Sequence, residues 1–114
     1  MKKIFTLAVA ALMVLTIVVP PVVAQESIKV GIILPVTGDK AKFGEIEKKS
    51  FEMALEEINA AGGINGKKLE FLFEDDTGRP DVARSAAEKL ITKDKVVILG
   101  GGYGSSETFA IAGV

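Results

Sequence analysis

A chain of 114 residues with 14 basic and 15 acidic side chains but neither histidine nor cysteine lacks the usual general base, the thiol nucleophile and most zinc or copper ligand sets, so no metal or cofactor site is expected and catalysis would have to come from carboxylates, lysines or serines without a histidine partner. Setting aside Lys2 and Lys3 of the leader described below leaves 12 basic against 15 acidic residues. That balance argues against nucleic acid or an anionic membrane surface as partner.

Lys2 and Lys3 open the chain, Ile4 to Val19 is uncharged and apolar, and Pro20-Pro21-Val22-Val23-Ala24 ends in small residues before Gln25. This is the layout of a secretory signal over residues 1–24, with cleavage after Ala24 and an exported, periplasmic or otherwise extracytoplasmic domain over 25–114. A competing reading keeps the segment as a membrane anchor, because 21 uncharged residues run from Ile4 to Ala24 and a bilayer core takes about 20. The proline pair and the Val-x-Ala ending favour cleavage.

Ile28 to Pro35 is nearly continuous in apolar residues and reads as a strand, stopped by Pro35 and the turn residues Thr37-Gly38-Asp39. From about Glu45 to Ala61 the period changes: Phe51, Ala54, Leu55 and Ile58 recur at helical spacing while Glu47, Lys48, Lys49, Glu52, Glu56 and Glu57 populate the other side. Gly62-Gly63 caps that helix, and Ile64-Asn65-Gly66 turns into the next strand.

Leu69, Phe71 and Phe73 alternate with Glu70 and Glu74, as on a half-exposed edge strand, and Lys67 and Lys68 suit edge protection. Asp75-Asp76-Thr77-Gly78-Arg79 is a loop whose two carboxylates are expected to hydrogen-bond its backbone. Pro80-Asp81 opens a second helix with Ala83, Ala86, Ala87 and Leu90 as its buried stripe. Val96 to Leu99, wholly apolar, reads as a third and interior strand, and Ser105 or Ser106 is expected to cap a third helix.

Three strands alternating with three helices predict an α/β fold with a parallel sheet in the order 2-1-3 and right-handed crossovers. In such sheets a ligand crevice opens at the carboxyl ends of the strands where the order switches, here between the first and third. The loop over Thr37–Phe43 and the loop over Gly100–Ser106 both belong to those ends.

The second loop, Gly100-Gly101-Gly102-Tyr103-Gly104-Ser105-Ser106-Glu107, joins a strand to a helix N-terminus, where unpaired N–H groups and the helix dipole favour an anion. It lacks the Lys-Ser/Thr ending of a phosphate-cradling loop and the third glycine of a dinucleotide fingerprint, and Glu107 in the first helical turn would repel a multiply charged phosphate. A singly charged carboxylate suits it better, with Gly104 expected to need a positive φ. The other reading is a tight turn whose glycines serve only backbone geometry and close packing.

Lys29-Val-Gly-Ile-Ile-Leu-Pro-Val-Thr-Gly38, Ala41-Lys-Phe-Gly44, the run from Ala54 through Gly66, Glu74-Asp-Asp76 and the Gly-Gly-Tyr-Gly-Ser-Ser loop together resemble, in order and spacing, the branched-chain amino-acid binding proteins, type I periplasmic binding proteins that serve ABC importers. The resemblance implies a two-lobe fold of which residues 25–114 form an incomplete N-terminal lobe. It also implies a small amino acid or related carboxylate as ligand, a membrane permease as partner and no enzymatic activity. The family's carboxylate-holding loop falls on Tyr103, Gly104, Ser105 and Ser106, and its pocket-lining aromatic on Phe43. Gly104 stands where the family often has serine, one hydroxyl fewer. A ligand-sensing ectodomain of the same fold is the alternative function.

Overall fold

The computed structural model describes residues 26–114, so the expected signal segment and its cleavage point lie outside the described residues. Six elements follow in order: β1 (Ile28–Leu34), α1 (Ala41–Ala60), β2 (Leu69–Asp75), α2 (Pro80–Thr92), β3 (Ile98–Gly101) and α3 (Ser105–Ala112). The three strands form a parallel sheet in the order β2-β1-β3, with Ile28 opposite Leu69 and Val30 opposite Ile98. Among the described residues no helix is long and apolar enough to cross a membrane.

Alternation along β1 assigns its two faces. Ile33 packs with Ala83, Ala86, Ala87 and Leu90 of α2, and Leu72, Val96, Leu99 and Ile111 close around them. The small alanines let α2 approach the sheet, and Gly31 completes the fit: a Cβ there would stand 2.8 Å from both Leu90 Cδ1 and Leu99 Cδ2. Leu90 is wholly buried, so truncating it to alanine would cost about 2–5 kcal/mol.

The opposite face carries α1, whose Phe51 meets Phe71 edge-on at 5.8 Å between ring centroids. The end of α1 is clamped to the start of β2 by one side chain, since Asn59 donates to Leu69 O (2.9 Å) and accepts from Leu69 N (2.8 Å). Asn65 and Gly66 take φ of 52° and 78° in the expected turn, and Gly62 and Gly63 follow the helix at 103° and 75°.

Two boundaries and one placement differ from expectation. Helix α1 starts at Ala41, not near Glu45, because the chain turns at Gly38–Lys40 and Gly44 seats its backbone against Pro35; a Cβ at 44 would lie 2.1 Å from Pro35 O. The strand β3 begins at Ile98 because Val96 N is committed to Leu90 O, closing the connection from α2. Among the described residues β3 stands at an edge of the sheet and not inside it, with its Ile98 60% exposed. An apolar run signals burial on both faces, but α1 packs over β1 and β2 and leaves the same face of β3 open.

Candidate ligand-binding site

The carboxyl ends of β1 and β3 are adjacent, and the glycine turn is welded between them. Gly102 N donates to Ile33 O at 2.8 Å. Gly101 and Gly102 have φ of +94° and +82°, and added Cβ atoms would stand 2.1 Å from Ile33 O and 2.7 Å from Thr108 Oγ1 respectively. These two glycines are therefore explained by backbone geometry and close packing, the tight-turn reading.

Gly104 is different. It is the N-cap of α3 with φ −100° and ψ 151°, ordinary extended backbone, so the expected positive φ is corrected. Its constraint is steric: a Cβ would stand 2.0 Å from Glu107 Oε2 and 3.0 Å from Lys40 Nζ. Nor does a serine cap the helix. Ser105 and Ser106 are its first two residues and no side chain bonds the N-cap position, because the chain turns into the helix one residue earlier than a serine cap requires.

The first N–H groups of a helix have no intrahelical partner, and those of Ser105 and Ser106 are of this kind. The hydroxyls around them are not equivalent. Thr108 Oγ1 lies 2.9 Å from Gly102 O and from Gly104 O, and Ser106 Oγ donates to Glu107 Oε2 at 2.9 Å. Of the serine and threonine hydroxyls there, that of Ser105 is the one left without a hydrogen-bond partner. It lines a surface hollow of about 340 Å³ with Tyr103, Gly104, Thr108, Phe109 and Ala112. Phe43 reaches the same region through Tyr103, their rings stacked at 5.1 Å and 15°. Of the five expected site residues, Tyr103, Gly104 and Ser105 face one hollow, Phe43 buttresses it, and Ser106 turns its hydroxyl away.

Behind the turn lies a polar cluster that pattern reading did not reveal. Glu107, 2% exposed, pairs with Lys40 at 2.9 Å, across 67 positions of sequence. The Lys40 hydrogen bond holds the Glu107 carboxyl below its usual range, helped by its own backbone N–H and by Ser106. Burial pushes Asp76 the other way, with repulsion from Glu107 and Asp75 adding to it and the Gly78 N–H opposing it. Asp76 accepts from Gly78 N at 2.8 Å through Oδ1, while its buried Oδ2 has no partner.

Asp75 joins the loops after β1 and β2. It accepts from Val36 N at 3.0 Å, Thr77 N at 2.9 Å and Thr37 N at 3.3 Å, and from the Thr37 hydroxyl. Burial alone would raise its pKa, but these bonds, that of the Thr37 hydroxyl foremost, hold it below the usual carboxylate range. Both acids thus bond the loop backbone, and among the described residues no cluster of acids is arranged to hold a metal ion. The long separation between Lys40 and Glu107 explains why no local motif could announce their pairing.

Residues 27–114 match the family model for periplasmic binding proteins. The chain belongs to that family. It is 36% identical over 107 residues to an amino acid binding protein of Pseudomonas aeruginosa, covering 94% of this chain and 29% of that relative. A solved structure of the branched-chain amino acid transporter substrate-binding protein LivJ of Streptococcus pneumoniae, in complex with isoleucine, superposes with a TM-score of 0.75 at 35% identity, covering 77% of this chain and 25% of that one. An ABC-transporter solute binding protein of Rhodopseudomonas palustris in complex with 3,4-dihydroxy benzoic acid superposes at 0.70 with 30% identity, over 76% and 23%. The chain therefore spans less than a third of the length of these family members.

Proposed function

We propose that this family member receives the carboxylate of a small organic ligand, foremost a branched-chain amino acid, at the turn Tyr103–Ser106, as the substrate-binding part of an ABC importer. The observation that carries the reading is the free Ser105 hydroxyl beside the unpartnered N–H groups of Ser105 and Ser106 at the start of α3, where the helix dipole adds to their attraction for a single negative charge. Isoleucine and 3,4-dihydroxy benzoic acid, the ligands of the two solved relatives, differ in nearly everything except a carboxyl group. A turn that reads that group alone serves both kinds of ligand, and selection among side chains falls to other surfaces.

The partner in this reading is a membrane permease and the location extracytoplasmic, consistent with the signal-like residues 1–24. The relatives are named as binding proteins and transporter components, which favours this role over a sensing ectodomain. Titration calorimetry on the full-length protein with leucine, isoleucine and benzoate tests it. Saturable binding of at least one carboxylate, weakened on Ser105→Ala, is expected; binding indifferent to both the ligand's carboxylate and Ser105 contradicts it.

A further inference from the structure

Glu107 places a carboxylate against the very backbone that the proposed ligand would approach, since the Cβ position of Gly104 lies 2.0 Å from its Oε2. An unpaired anion there would repel a second carboxylate. At an effective dielectric of about 20, charges several ångströms apart interact strongly enough to change an equilibrium constant at least tenfold. The Lys40 ammonium removes that obstacle, standing 2.9 Å from Glu107 Oε1 and, by the same construction, 3.0 Å from the Gly104 Cβ position. The nearby groups are few. Glu107 is met by Lys40 and Ser106, and Asp76 by Glu107, Asp75 and Lys40.

We propose that Lys40 and Glu107 are the positioning pair of the ligand turn: Glu107 fixes the start of α3 and draws off the Ser106 hydroxyl, while Lys40 cancels the charge of Glu107 so that an anionic ligand is admitted. This rests on the reading of the turn as a carboxylate site. The pair ties the entrance of α1 to the first turn of α3 and leaves Ser105 as the hydroxyl offered to ligand. It also accounts for glycine at 104, the only residue that leaves room for the Glu107 carboxylate.

The two partners are predicted to have opposite effects, which a merely structural ion pair would not show. In the full-length protein, Lys40→Met exposes an anionic ligand to an uncompensated Glu107 and should weaken leucine binding about tenfold or more, with Lys40→Arg restoring it. Glu107→Gln keeps one oxygen as acceptor for Lys40 and turns its amide N–H towards the Ser106 hydroxyl, which can accept it, but removes the negative charge, so leucine binding should be retained or tightened. The double variant Lys40→Met/Glu107→Gln removes the Glu107 charge together with its cation, leaving Asp76 as the remaining buried carboxylate of the cluster, and should return towards the parent affinity. Calorimetry with leucine and, by competition, leucinamide reads all four variants, and the amide should respond little to either charge change. Equal losses in Lys40→Met and Glu107→Gln, or equal changes for acid and amide, overturn the pair's role while leaving the turn intact. Failure of the parent protein to distinguish leucine from leucinamide overturns the carboxylate reading and the pair with it.

Discussion

The rings of Phe43 and Tyr103 lie nearly parallel with centroids 5.1 Å apart, joining the first turn of α1 to the glycine turn after β3. Both rings remain partly exposed, at 49% and 41%, so the stack forms a wall beside the hollow lined by Tyr103 and Ser105 instead of a core contact. Phe43→Ala removes the support under Tyr103. The expected stability loss is about 0.5–1.5 kcal/mol, the range for an aromatic pair beyond its buried area, and a thermal melt would register it. Ligand affinity should fall with it, whereas Phe43→Tyr should preserve both.

Gly104→Ala asks for a methyl group where the Glu107 carboxylate lies. The backbone there is extended and tolerates alanine, so any loss comes from displacing Glu107 from Lys40 and Ser106. Destabilisation of about 1–3 kcal/mol is expected, as for overpacking at a filled site. Denaturant unfolding would measure it, and adding Glu107→Gln should not rescue it, because the amide is as large as the acid.

The carboxylates predict a split response to pH. Asp75 and Glu107 have depressed pKa values when folded, so the stability they contribute is present above their unfolded pKa and lost as pH falls through the lower folded values. Asp76 is raised, so its contribution is fully present below the unfolded pKa and lost as pH rises through the folded one. Asp76→Asn should therefore gain stability relative to the parent as pH rises from about 3 to neutrality. Denaturant midpoints at a series of pH values check this, and a difference that stays flat or reverses would refute the assignment.

Ile98, at 60% exposure on β3, which is an edge of the sheet among the described residues, offers an apolar side chain to other molecules. An exposed apolar edge is a site of self-association. Ile98→Lys in residues 25–114 should lower it, as read by light scattering at increasing concentration, with little change in circular dichroism.

Local pattern carried the architecture because each element announces itself within a few residues. The alanine stripe of α2 at 83, 86, 87 and 90 and the strand order 2-1-3 follow from periodicity and from the relative polarity of β1 and β2. The errors arise where a distant contact overrides the local signal. Gly44 lies inside α1, ahead of the expected start near Glu45, because Pro35 leaves room there for nothing larger. Val96 and Val97 read as the start of the third strand, yet one closes a connection and the other is exposed. Within the candidate site, the Gly-Ser turn suggests an anion site from its own residues, whereas its loop companions are suggested only by resemblance. The division of labour between Ser105 and Ser106 was not legible, since Lys40 holds Glu107 across 67 positions of sequence and Glu107 in turn captures Ser106.

That division supplies the most direct test of the central claim, a carboxylate held at the start of α3. Titration calorimetry on the full-length protein, comparing Ser105→Ala with Ser106→Ala against leucine, separates the free hydroxyl from the one already committed. Ser105→Ala should weaken binding by about 1.5–3 kcal/mol, the range for a hydrogen bond to a charged group, and Ser106→Ala should have a much smaller effect. Equal affinity in Ser105→Ala and the parent protein, or a loss confined to Ser106→Ala, would contradict the account.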